Sequence, residues 1–167
     1  MPFTPYHFGP GLLFKSLLQG SFSLVIFAWA QIVMDIQPLL VLLTGKGHLH
    51  GFTHTLVGAT LLAVFSAVSG KYGIDNLLNR WPNHVKVGLL VSWPTAVLSA
   101  LIGCYSHVVL DAIMHGDLLP FAPFNTNNPM LHMLSVNDLH WLCVTAGAAG
   151  AILYFLVLVW HRQARKP

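Results

Sequence analysis

Residues 87–113 read "VGLLVSWPTAVLSALIGCYSHVVLDAI", and their one formal charge is Asp111. A helix crosses a bilayer with about 20 apolar residues, so this stretch is read as a membrane span. Three others meet the test: 21–43, 138–160 and, by borrowing flanking residues, the shorter 53–69. Pro38 and Pro94 fall inside the first and third spans, where proline is expected to kink or break a helix. "GLLFKSLLQ" (11–19) is apolar but too short to cross. The predicted fold is all-α: a polytopic membrane helical bundle of four transmembrane helices plus a short N-terminal half-helix, forming one domain over 1–167.

Composition points the same way. Of 167 residues, 55% are hydrophobic and 8% charged. A soluble domain carries about 25% charged residues, so the expected environment is the lipid bilayer. "LVIFAWA" ends in a small-x-small pattern, but the apolar run continues through "QIVMDIQPLLVLLTG". It therefore reads as a membrane helix rather than a cleaved leader. The net charge of +3 is small, and no basic run interleaved with aromatics offers a nucleic-acid surface. Cys104 and Cys143 sit in apolar runs and read as buried thiols.

Positive charge orients the bundle. Lys71, Arg80 and Lys86 lie between the second and third spans, and Arg162, Arg165 and Lys166 follow the fourth. An even number of crossings separates the two groups, so both are expected on the cytoplasmic side. Nearly all the acids and imidazoles then collect at the opposite, outer face.

The collection has a pattern. "SHVVLDAIMHGD" (106–117) spaces His107, Asp111 and His115 four apart, on one helical face. Imidazole nitrogen and carboxylate oxygen are ligands for zinc and similar divalent ions. The three span about 12 Å of helix rise, too far for one ion, so two neighbouring ions with Asp111 between them suit the stripe better. "HLHGFTHT" (48–55) supplies His50 and His54, again four apart, on a helix expected to start near Thr53. Asp35 lies deep in the first span, where a carboxylate needs a partner or a proton. Gln37 is placed to hydrogen-bond a ligand or a substrate. His7 joins the set if 11–19 runs inward and "QGS" turns the chain back, with 7–10 extended and His7 arriving beside Asp35. The alternative to a metal is a satisfied polar network, but ionisable groups inside membrane spans mark functional sites by default.

Five motifs together carry a resemblance: "MPFTPYHFGPG" (1–11), "MDIQPL" (34–39), "HGFTHTLVGA" (50–59), "SHVVLDAIMHGD" (106–117) and "PFAPF" (120–124). The chain resembles bacterial membrane proteins of the metal-dependent hydrolase family (YdjM type), over most of its length except 70–86. It is more distantly similar to zinc-dependent phospholipase C and the P1-type nucleases. Those are α-helical enzymes whose clustered zinc ions are held by His and Asp. Their helical His-x-x-x-Asp pair corresponds to His107 and Asp111. Their earlier His, Asp and His ligands correspond to His7, Asp35 and His50 or His54. They also use a Glu ligand and an N-terminal Trp, whereas this chain has no Glu and begins with Met. The resemblance therefore implies one or two ions rather than three.

The expected function is metal-dependent hydrolysis at the outer face of a bacterial inner membrane. Metal-activated water would attack a phosphoester or lipid-like substrate, with zinc as the expected metal. Asp117 or Asp138 is the candidate proton-transfer group. A transporter, a haem protein, or a non-catalytic metal-binding protein that engages a partner remains the alternative.

Overall fold

Apolar runs separated by polar turns fold here into helices alone. A computed structural model describes residues 5–79 and 91–164, and among these there are five α-helices and no strand. They are α1 (Gly9–Leu18), α2 (Leu24–Thr44), α3 (Leu56–Asn79), α4 (Trp93–Met114) and α5 (Val136–Ala164). Each of α2 to α5 is long and apolar enough to cross a membrane, and α1 is the half-helix. Arg80, Lys86, Arg165, Lys166 and the first residues of the predicted 87–113 span lie outside the described residues.

Local chemistry sets the helix ends. Ser23 caps α2 by accepting the Ile26 N–H, and Gly45 closes it in the left-handed region at φ 66°. Ser92 caps α4 by accepting the Thr95 N–H. Pro94 breaks nothing, contrary to expectation. The helix begins at Trp93, so the missing proline N–H falls in the first turn, where it has no helical partner to lose. Pro38 does lie inside α2, which runs through it. The second predicted span, 53–69, is displaced. A 3-10 turn occupies Phe52–His54, and α3 runs from Leu56 to Asn79.

Helices α2, α3 and α4 share the core. Ala59, Ala63 and Ala67 line one face of α3, and Ala96, Ala100, Cys104, Val108 and Ala112 line one face of α4, all buried. Small residues every four positions let two membrane helices approach closely. Neighbouring positions on α4 turn toward α2. A Cβ on Gly103 would stand 2.8 Å from the Ala30 Cβ.

Helix α5 packs chiefly on α1, and glycine makes that contact possible. A Cβ on Gly150 would lie 2.3 Å from the Leu13 backbone nitrogen, and one on Gly9 would lie 2.0 Å from the Cys143 carbonyl oxygen. Most of α5 is otherwise exposed and apolar, including Trp141, Ile152, Phe155 and Trp160. Both cysteines are free and buried.

Helix α1 and the turn after it form the predicted hairpin. Lys15 Nζ donates to the Gln19 and Phe22 carbonyls at 2.7 and 2.8 Å, satisfying acceptors where the chain reverses. Residues 7–10 are not extended. Pro5–Phe8 form a 3-10 turn that leads directly into α1 at Gly9. Tyr6 stacks on His140 of α5 at 4.1 Å between ring centroids, fixing this turn against the start of α5.

Candidate metal centre

Five segments deliver seven titratable side chains to one place: His7 from the N-terminal turn, Asp35 from α2, His50 and His54 from the loop before α3, His107 and Asp111 from α4, and His115 just past its end. Asp111 is the hub. Its Oδ1 lies 3.3 Å from His7 Nε2 and 3.9 Å from His115 Nε2. Its Oδ2 lies 3.2, 3.7 and 4.0 Å from the Nε2 atoms of His107, His54 and His50. His107 Nε2 also lies 3.6 Å from Asp35 Oδ1. His7 thus joins the cluster with Asp111 as an ion-pair partner.

The two shortest separations, His107–Asp111 and His7–Asp111, are those of ligands around an ion, and the others, at 3.6–4.0 Å, are wider. Two donors bonded to zinc at 2.0–2.1 Å with tetrahedral angles stand about 3.3 Å apart. A hydrogen-bonded network would instead pair each nitrogen with an oxygen. His7 Nε2 and His107 Nε2 lie within ion-pair distance of Asp111, but they, His54 Nε2 and His7 Nδ1 are buried without a hydrogen bond of good geometry. Orphaned buried polar atoms are rare and call for an explanation such as an ion.

Among the described residues, three donor sets could hold a metal ion: His7, His107 and Asp111; Asp35, His54 and His107; and His50, Asp111 and His115, with ligand atoms in each set within 4.8 Å of one another. None contains both His107 and His115, as their helical separation requires, and Asp111 stands in a set with each. His107 Nε2 has one lone pair, so it completes the first set or the second, but not both. Asp111 has two oxygens and can serve two ions. Two ions are therefore the most that complete three-donor sets allow.

The opposite ring nitrogens explain why Nε2 is the free donor. His107 Nδ1 lies 2.7 Å from Gln31 Oε1. Gln31 Nε2 donates to the Gly103 carbonyl at 3.1 Å, which leaves its oxygen facing the ring. His107 therefore carries its proton on Nδ1 and its lone pair on Nε2. His54 is held likewise. Its Nδ1 donates to Thr53 Oγ1 at 3.0 Å, and the Thr53 hydroxyl donates to Gln37 Oε1. His50 Nδ1 donates to the Asp117 carboxylate at 2.9 Å. Burial first, and then the neighbouring His107, push His54 down to about 3, so its ring is neutral at pH 7. Burial also lowers His115.

The two residues expected to move protons have other partners. Burial opposes the charge on Asp117, but the His50 hydrogen bond outweighs it and holds the carboxyl below its usual range. A carboxylate so stabilised is a weak base, and orienting His50 is the task its geometry supports. Asp138 is exposed, and its Oδ2 accepts the Ser135 hydroxyl at 2.6 Å while Ser135 Oγ accepts the Asp138 N–H. That reciprocal pair caps α5. Gln37 does hydrogen-bond around a candidate ligand, through Thr53, and it also donates to the His48 carbonyl.

Sequence reasoning missed Gln31 and Thr53. The available signal was position: Gln31 lies one helical turn before Asp35 in an otherwise apolar helix, and Thr53 is adjacent to His54. A cavity of about 100 Å³ opens onto the cluster between Asp35, His50, Asp111, His115 and Asp117.

Compared with known proteins, the chain matches no family model, no curated protein and no solved structure.

Proposed function

We propose that this membrane protein is a metal-dependent hydrolase with a centre of one or two zinc-type ions. Three buried imidazole Nε2 atoms, converging on Asp111 without a hydrogen bond of good geometry, carry the reading. His50, His54 and His107 are each held through Nδ1, so their Nε2 donors are pre-oriented. Divalent ions in such sites acidify water and polarise the bond to be cleaved.

The chain's own residues would do the rest. Asp111 offers an oxygen to each side and fixes the spacing of the two donor sets. Asp117 holds His50 in register at the mouth of the cavity. Burial of the His7, His54 and His107 rings excludes water from all but that mouth. The reacting group enters where Asp35, His115 and Asp117 line the opening. A phosphoester suits the centre because its anionic oxygens complement clustered cations.

The bacterial inner membrane, with the cluster at the outer face, is the location that charge supports. Among the described residues, Lys71 lies in the second half of α3 and Arg162 in the last turn of α5, both in the halves of their helices remote from the cluster.

The test is zinc- or manganese-reconstituted protein assayed on phosphomonoesters and phosphodiesters, beside Asp111→Asn. Turnover lost in a variant that still folds supports an enzyme. Metal binding with no turnover of any substrate would instead favour the non-catalytic role, in transport or partner binding.

A further inference from the structure

Among the described residues, two more cavities neighbour the opening at the cluster through shared lining residues. The second, about 380 Å³, shares His50 and Asp117 with the first and extends past Phe52 and Leu119 to Ala122. The third, about 520 Å³, shares Ala122 and is lined mostly by apolar residues, among them Leu56, Val57, Phe121 and Phe124, with Asn125 its one polar side chain. Both volumes fall within the range of about 300–1,000 Å³ typical of ligand pockets. Chemistry changes along the series, from imidazole and carboxylate at one end to hydrocarbon at the other. The loop that forms the shared wall is anchored, since the Leu56 N–H donates to the Pro120 carbonyl at 2.8 Å.

The apolar end adjoins α3, one of the helices long and apolar enough to cross a membrane. Val57 belongs to the first turn of a span covering Leu56–Leu77, so the third cavity lies at the level where that span begins. Val57 also begins an exposed apolar stripe on α3 that continues through Leu61, Val64, Phe65 and Val68. These positions recur every three or four residues, on one helical face. Phe124, 87% exposed, stands at the outer lip.

We propose that the three cavities form one groove for a phosphate-bearing membrane lipid. The headgroup lies against the His/Asp cluster, and the acyl chain runs past Ala122 into the cavity beside Val57, having entered sideways from the bilayer. The proposal rests on the metal-dependent reading, because the clustered cations are what attract an anionic headgroup. A soluble phosphoester shares that headgroup chemistry but has nothing to place in the apolar two-thirds of the groove.

The experiment measures binding rather than turnover. Full-length, zinc-loaded protein in detergent is titrated with tritiated dioleoyl phosphatidic acid, with glycerol 3-phosphate as the soluble competitor. Ala122→Trp fills the junction of the second and third cavities, and Val57→Trp, at a partly exposed position, obstructs the lateral entrance. The expected result is saturable binding to the wild type, weakened about tenfold or more by either substitution while metal content is retained. Glycerol 3-phosphate should compete far less well than unlabelled lipid. Undiminished binding in both metal-loaded variants, equal competition by glycerol 3-phosphate, or no saturable binding to metal-loaded wild type overturns the groove alone. A wild-type protein that takes up no metal overturns the metal-dependent reading and the groove with it.

Discussion

Gln31 Oε1 lies 2.7 Å from His107 Nδ1, and that hydrogen bond turns the opposite nitrogen toward Asp111 at 3.2 Å. The glutamine thereby determines which nitrogen of a central donor is free. Gln31→Leu should therefore weaken metal affinity about 10–100-fold. Gln31→Glu, which keeps an acceptor at that position, should recover most of it. Competition with a chromogenic chelator measures both, and equal affinity of Gln31→Leu and wild type would remove the orienting role.

Thr53 offers a second, independent test of the same logic. Thr53→Val preserves shape but removes both the acceptor for His54 Nδ1 and the donor to Gln37. Metal affinity should fall about tenfold or more, with little change in helix content by circular dichroism.

Helix packing should matter for the centre at a distance. Gly150→Leu places side-chain atoms where the Leu13 backbone lies, and such overpacking costs about 1–3 kcal/mol. Because α1 follows directly from the turn that carries His7, the variant should lose metal affinity as well as melting temperature. A variant with lowered melting temperature and unchanged affinity would show that His7 is seated independently of the α1–α5 contact.

The metal-free protein should be acid-sensitive through His54. Its folded-state value is depressed to about 3 by burial, from an ordinary 6.5. The unfolded chain therefore takes up a proton near pH 6.5 that the folded chain refuses. The contribution is fully present above pH 6.5 and is lost as pH falls toward 3, by up to about 1.4 kcal/mol per pH unit. In chelator-treated protein, His54→Gln should flatten the decline in melting temperature between pH 7 and pH 4.5. An unchanged slope would assign the acid sensitivity to other groups.

The spans were legible because a bilayer demands long apolar runs, and only four stretches supply them. The end of α3 was not. Lys71 and Asp75 look like the start of a polar loop, but they pair at 3.0 Å one turn apart, and Lys71 also donates to the Val91 carbonyl and lies over Trp93. A neutralised pair carries the helix on to Asn79. In the candidate centre, the seven clustered residues could be read because spacing and sidedness placed them at one face. Gln31 and Thr53 could not, because ordinary polar residues acquire an orienting role only from what the fold sets beside them. Gln31 is aimed by Gly103, which lies on another helix 72 positions away.

The proposed function stands on the cluster's holding a metal, and metal content per chain measures that most directly. Protein purified in detergent without chelator, then analysed by plasma mass spectrometry, should contain about one to two equivalents of zinc or manganese, and Asp111→Ala should lose them. No metal in either protein, even after attempted reconstitution, would contradict the account and leave the His/Asp cluster as a polar network.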